Sequence, residues 1–267
     1  MCLTVLPIPM QSESDGGWSS TIGSGYEVLL ALATLTLWPI LDERAVGSSA
    51  QRARALVFTP IIGFFAGWVL GLFDHALTMK FTVGTRSWAV VIAASLATLF
   101  LQWRGIADLF EALRAGARPA STGLARIGPG GVAVAMTAFA LEVLLLTRIR
   151  EPASRTAALA MSSMLARWSI VPVAYGLKAQ ERWGLGVPFE GGIEFREFAI
   201  SSVIALGLTL ALYANVGLVV TVVVALVILG MRFLFSRRFG GVPGFALAGA
   251  SAIIEVAVIM TIATLST

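Results

Sequence analysis

Asp108 and Glu111 stand three residues apart in the stretch Trp103-Arg-Gly-Ile-Ala-Asp-Leu-Phe-Glu111. On a helix they share a face, and two carboxylates so placed can share one divalent cation. Such a cation neutralises a pyrophosphate and helps its leaving group depart. The same stretch also reads as an amphipathic interfacial helix over 106–118, with acids toward water and Arg114 and Arg118 beside lipid phosphates.

Two glycine segments follow basic residues and precede apolar runs. In Arg126-Ile-Gly-Pro-Gly-Gly131, Gly128 and Gly130 allow close backbone approach, helix-start N–H groups favour anions, and Arg126 can grip phosphate oxygens. The Gly-Lys-Ser/Thr ending of a Walker loop is absent, so the segment also reads as a turn feeding a helix. Arg237-Arg-Phe-Gly-Gly-Val-Pro-Gly244 has the same composition, with Gly240 and Gly241 either admitting a ligand or making a reverse turn. Glu27, Glu142, Arg167 and Glu255 lie in or near apolar runs. Each should face a bundle interior, a cavity or an interface, because an unpaired charge in hydrocarbon is costly. A Glu–Arg pair is one reading of this set, and an anion contact at Arg167 is another.

The elements that hold these residues are membrane helices. Of 267 residues 57% are hydrophobic and 13% charged, and mean hydropathy is +0.87. That is too little polar surface for a soluble fold of this length. The net charge of +4 is scattered between apolar runs, which suits anionic headgroups; the continuous basic surface that nucleic acid requires is missing. Membrane lipids are therefore the expected partners. Cys2 and His75, each the single residue of its type, offer little for a zinc or thiolate site. Residues 1–25 lack a basic region before their short apolar stretch and read as a flexible segment, leaving 26–267 as one membrane domain.

Apolar runs at 26–41, 56–73, 87–101, 131–147, 156–176, 198–235 and 244–262 set the span count. The run 198–235 is long for one crossing and fits two joined by a tight turn at Asn215 and Gly217. This predicts an all-α polytopic bundle of about eight spans, or seven if that run is one tilted helix. Eight spans put thirteen of the nineteen Lys and Arg on one side and five (Lys80, Arg86, Arg148, Arg150, Arg155) on the other, with Arg167 within a span. The positive-inside rule then places 102–130 and 177–197 in the cytoplasm and both ends of the chain outside, in a bacterial inner membrane.

Taken in order, several segments resemble the cobalamin synthase family, adenosylcobinamide-GDP ribazoletransferase, from about residue 30 to 260. Thr36-Leu-Trp-Pro-Ile40 stands where the family has a Thr-Arg-Leu-Pro-type segment, and Phe58-Thr-Pro-Ile-Ile-Gly63 is similar to its Phe-Pro-Leu-Val-Gly. Arg126-Ile-Gly-Pro-Gly-Gly-Val132 resembles Arg-Ile-Gly-Thr-x-Gly-Val. Gly240-Gly-Val-Pro-Gly-Phe-Ala-Leu247 resembles Gly-Gly-x-Thr-Gly-Asp-x-Leu, and Glu255 falls on the last acidic position. The resemblance implies an integral membrane enzyme that requires Mg²⁺. It joins α-ribazole, or its phosphate, to adenosylcobinamide-GDP and releases GMP. It also implies Asp108 as catalytic, Asp108 and Glu111 as metal ligands, and Arg126 and Arg167 beside phosphates, while Arg104, next to the acids, would replace part of the cation's charge. Gly128, Gly130, Gly240 and Gly241 would line the substrate's approach.

The family's Asp-Gly-x-Ala-Asp-x-x-Asp-Gly reads Arg104-Gly-Ile-Ala-Asp-Leu-Phe-Glu-Ala112 here. Leu124, Phe245 and Ala252 replace further acids, and Glu142 replaces a lysine. These changes motivate the alternative of a non-catalytic member. Such a chain would serve as a structural subunit among other membrane subunits, or bind a corrinoid or nucleotide-linked amphiphile without turnover.

Overall fold

The computed structural model describes residues 54–115, 127–178 and 193–266. The segment 1–25, the expected first span at 26–41 and Arg126 lie outside them. The described backbone is helical, with one bridge where Val242 N donates to Lys178 O at 2.9 Å. A 3-10 turn, Leu56–Phe58, leads into α1 (Thr59–Ala76). Next come α2 (Val83–Ala97), α3 (Leu101–Ala115) and α4 (Pro129–Arg148). They are followed by α5 (Pro152–Trp168), α6 (Ile170–Ala174), α7 (Phe195–Leu212), α8 (Ala214–Phe239) and α9 (Gly244–Leu265).

Six stretches among the described residues are long and apolar enough to cross a bilayer, and a seventh is supplied if α2 and α3 together make one bent span. The chain is a multi-pass membrane protein. The expected division of 198–235 is borne out, but its position is corrected. The break falls at Tyr213, while Asn215 and Gly217 lie inside α8. Gly217 serves close packing, since a Cβ there would come within 2.7 Å of Thr209 O at the end of α7.

The expected helix at 87–101 is also corrected. Leu99 and Phe100 adopt φ of 49° and 57°, ending α2 and turning the chain by 80° into α3. Fifteen residues of α2 rise only about 22 Å, short of a bilayer core of about 30 Å. The bend is held by Trp103, whose indole N–H donates to Ser95 Oγ at 2.8 Å. Prolines mark several starts: Pro60 in α1, Pro129 in α4 and Pro152 in α5 each sit in a first turn, where a missing N–H costs nothing. Pro172, unable to donate an N–H, follows the break between α5 and α6.

At the centre lies the span Pro152–Ala174, built from α5 and α6, most of it buried inside the bundle. Gly63, Gly67 and Gly71, one per turn of α1, lie flat against it. A Cβ on Gly67 would meet Leu159 O at 2.2 Å, and one on Gly71 would meet the Thr156 side chain at 2.5 Å. Between membrane helices such small-residue stripes allow backbones to touch and gain dispersion energy. Gly67→Val is expected to lose about 1–3 kcal/mol through overpacking. The unfolding midpoint in detergent should fall accordingly, while Gly230→Ala, with open space around it, should hold the wild-type value.

One end of the bundle is fastened by charge. Arg155, fully buried at the start of α5, grips Asp74 of α1 with Nε–Oδ2 at 2.8 Å and Nη2–Oδ1 at 2.7 Å. It also donates to the carbonyl oxygens of Leu146 and Ile149 and to Ser87 Oγ. Arg86 of α2 lies 3.3 Å from the same Asp74 carboxylate and donates to Thr78 Oγ1 at 2.7 Å. Tyr213, between α7 and α8, donates to Ser154 O at 2.8 Å. The ends of α1, α2, α4, α5, α7 and α8 therefore meet at one pole. At the other pole Arg232 of α8 caps α6 by donating to the carbonyl oxygens of Pro172, Val173 and Tyr175.

Candidate functional site

The second pole carries the predicted chemistry, and α3 presents it. Gln102, Trp103, Gly105, Ile106, Ala107 and Leu109 are buried. Arg104, Asp108 and Glu111 fall one turn apart on a half-buried stripe. This is the amphipathic spacing expected of the stretch, although the buried side faces protein. Gly105 makes the docking possible: a Cβ there would lie 2.4 Å from Gly249 N, and one on Gly249 would lie 2.7 Å from Gly105 O. The backbones of α3 and α9 thus cross in contact, and the charged stripe is held against the last helix.

Within the stripe the charges are paired. Arg104 Nε lies 3.5 Å from Asp108 Oδ2, and Arg114 Nε lies 3.6 Å from Glu111 Oε2. Glu111 also reaches the next helix. Its Oε1 accepts from Gly131 N at 2.8 Å, in the first turn of α4, where N–H groups have no helical partner. The glycines make room for this carboxylate. A Cβ on Gly128 would lie 2.5 Å from Glu111 Oε1, and one on Gly130 would press on the Phe110 ring at 2.8 Å. The anion-favouring helix start expected at 128–131 therefore receives an anion from the chain itself. Glu111→Ala should cost about 1 kcal/mol, the usual worth of a helix cap. Faster amide hydrogen exchange confined to the first turn of α4 would register it.

Arg104, Asp108, Glu111, Gly128 and Gly130 thus come together; Arg126 lies outside the described residues. Arg167 of α5 donates to Ser163 O at 3.1 Å and Ser163 Oγ at 2.8 Å. It is in the electrostatic field of Glu142 of α4 and Glu255 of α9, which are both buried. Gly240 ends α8 in the left-handed region, φ 68°, which only glycine adopts freely. Gly241 is buried beside it. Arg237 stacks over Phe233 at 4.6 Å.

As a metal site the stripe offers two hard carboxylate groups. No group of three or more His, Cys, Asp or Glu side chains gathers among the described residues. Mg²⁺ commonly takes one or two carboxylates and fills its remaining positions with water and substrate oxygen. Asp108 and the outer oxygen of Glu111 fit that donor set once their arginines yield.

Sequence reasoning missed the Asp74–Arg86–Arg155 cluster, because each residue sits near a span end and reads singly as an interfacial charge. The readable signal was that all three fall on one side under the alternating topology. The Gly63, Gly67, Gly71 repeat was equally visible as a four-residue period.

The family model of cobalamin-5-phosphate synthase matches residues 27–263. An adenosylcobinamide-GDP ribazoletransferase of Thermoanaerobacter pseudethanolicus is 28% identical over 249 residues, covering 90% of this chain and 97% of that protein. Proteins of the same name from Geotalea daltonii and Clostridium acetobutylicum are 26% and 23% identical, covering 78% and 88% of this chain and 85% and 94% of their own lengths. No solved structure matches. With the match running from before α1 almost to the end of α9, the chain belongs to the cobalamin-5-phosphate synthase family.

Proposed function

We propose that this chain is a ribazoletransferase. It transfers α-ribazole, or its phosphate, onto adenosylcobinamide-GDP with release of GMP. The observation that carries this reading is the near full-length match to proteins bearing that name, which covers the helices that build the α3 stripe. In the reaction, a ribazole hydroxyl oxygen bonds to the phosphorus that stays with the corrinoid. The pyrophosphate bond to GMP breaks, and the hydroxyl proton passes to solvent or a nearby base. Little covalent work falls to the protein, so positioning and charge dominate.

Asp108, with the outer oxygen of Glu111, would hold Mg²⁺, which when bound neutralises pyrophosphate oxygens. Arg104 stands one turn from Asp108, placed to move from that carboxylate to a substrate phosphate. Arg126 is the second phosphate contact in this reading. Glu111 fixes α4 against α3 and so keeps the stripe in place. The pole bearing the stripe faces the cytoplasm of a bacterial inner membrane, and the charge bias of the connecting segments supports that orientation.

The test is GMP release by purified, detergent-solubilised protein given adenosylcobinamide-GDP, α-ribazole phosphate and Mg²⁺. Metal-dependent release is expected. No release, with an intact synthase active under the same conditions, would sink the proposal in favour of a non-catalytic subunit.

A further inference from the structure

Asp74, near the end of α1, lies at the pole fastened by Arg155, so α1 begins at the pole that carries the α3 stripe. The chain enters α1 through the turn Leu56–Phe58, which rests against α7 with Leu56 and Val57 buried. Between α1 and α7 lies an open apolar groove of about 480 Å³, walled by Ile61, Phe64 and Phe65 on one side and Val203, Gly207 and Leu208 on the other. A Cβ on Gly207 would meet nothing within 4 Å, and Phe65 and Val203 are 56% and 72% exposed. Trp68, Val69 and Leu72 continue the uncovered face of α1, three, four and seven residues beyond Phe65, which is the spacing of a helix seam. The span of α7 is mostly unburied.

Lipid tails, a second copy or another part of this chain are the occupants such a groove could take. Connectivity favours the last. The apolar run 26–41 precedes α1, and its residues 28–37 carry no charge. As a span, that run must finish at the pole where α1 begins. Only residues 42–53 separate the two, a reach of about 40 Å at full extension. Helices joined by short connections pack as antiparallel neighbours. The glycine face of α1 is already taken by α5, which leaves the groove side open. A segment tethered this closely acts at an effective concentration on the order of millimolar, an advantage a second copy lacks. Against lipid, a fixed helix gains dispersion energy by packing closely where Gly207 leaves room.

We infer that residues 26–41 form the first transmembrane helix and dock along the groove between α1 and α7, with the uncharged stretch 28–37 against Phe65 and Gly207. The docked helix covers the seam of α1 and adds a neighbour to α7. This inference uses no residue of the α3 stripe and does not rest on the transferase reading.

The test is cysteine cross-linking of the full chain in lipid vesicles. Cys2, the single cysteine, is first replaced as Cys2→Ser. One cysteine is then placed at each of positions 28–37 in turn, and a second as Gly207→Cys or Val203→Cys, where open space or exposure leaves room for the thiol. A bifunctional thiol reagent shorter than a helix diameter, about 10 Å, should bridge the two within one chain, at positions recurring every three or four residues. Leu144→Cys, exposed on α4, which packs on α2, α3 and α9, is the control and should bridge several-fold less. Three results would overturn the inference, each read on protein that elutes as wild type does. Bridging to neither groove position would leave the groove to lipid, and a bridge joining two chains would assign it to a second copy. Equal bridging to Leu144→Cys would place the segment away from the groove.

Discussion

Asp74→Ala is expected to destabilise the folded protein by about 3–5 kcal/mol, the cost of removing one partner from a buried ion pair. Asp74 and Arg155 are 1% and 0% exposed, so solvent relieves neither. Without the carboxylate, two guanidiniums remain enclosed at one pole, with carbonyl and hydroxyl oxygens as their remaining partners among the described residues. Arg155 ties the ends of α4 and α5 to α1, and Arg86 adds α2, so the loss spreads over four helices. Thermal unfolding monitored by size-exclusion chromatography in detergent should show a collapse in recovered monodisperse protein. Asp74→Asn should recover part of it, because an amide oxygen still accepts from one arginine. Wild-type recovery of Asp74→Ala would mean that the pole is wetter than its burial indicates.

Asp108→Ala should do the opposite, sparing the fold and abolishing turnover. Its ion pair with Arg104 spans 3.5 Å between side chains 18% and 41% exposed, a class of contact worth about 0–1 kcal/mol. The unfolding midpoint should therefore barely move. If Asp108 anchors the cation, its removal forfeits several kcal/mol of charge stabilisation at the pyrophosphate. At about 1.36 kcal/mol per tenfold, GMP release should fall by at least about a hundredfold. Raising Mg²⁺ should restore part of the rate if the cation is merely bound more weakly. Undiminished release from the variant would move the chemistry away from α3. The two aspartates are one charge each and 34 positions apart in the sequence, yet only one of them should matter to stability. Burial and partner count decide which.

The amino-acid sequence alone determined the solvent. With so few charges and apolar runs of bilayer length, no aqueous packing is available, and the all-α multi-pass class follows from the need to satisfy every backbone group internally. The glycine and arginine segments, Asp108 and Glu111 were legible too, because helical spacing is a local property. The break between α7 and α8 was legible in kind but not in position. Asn215 and Gly217 carry turn chemistry, whereas Tyr213 interrupts the helix and Gly217 serves contact with Thr209.

What only the tertiary structure decided were the pairings. Glu111 reads as a metal ligand from its spacing to Asp108. Its engagement with Gly131, twenty residues away, depends on how α4 meets α3. Arg167 reads as a phosphate contact, and the structure adds its bonds to Ser163 and the burial of Glu142 on α4 and Glu255 on α9. Asp74 and Arg155 are 81 positions apart, and nothing in either neighbourhood announces the other. Local pattern fixes which side a helix turns inward. Which charges then meet depends on the approach of glycine-lined backbones, at Gly67 on α5 and at Gly105 on Gly249, and those contacts exist only once the bundle has packed.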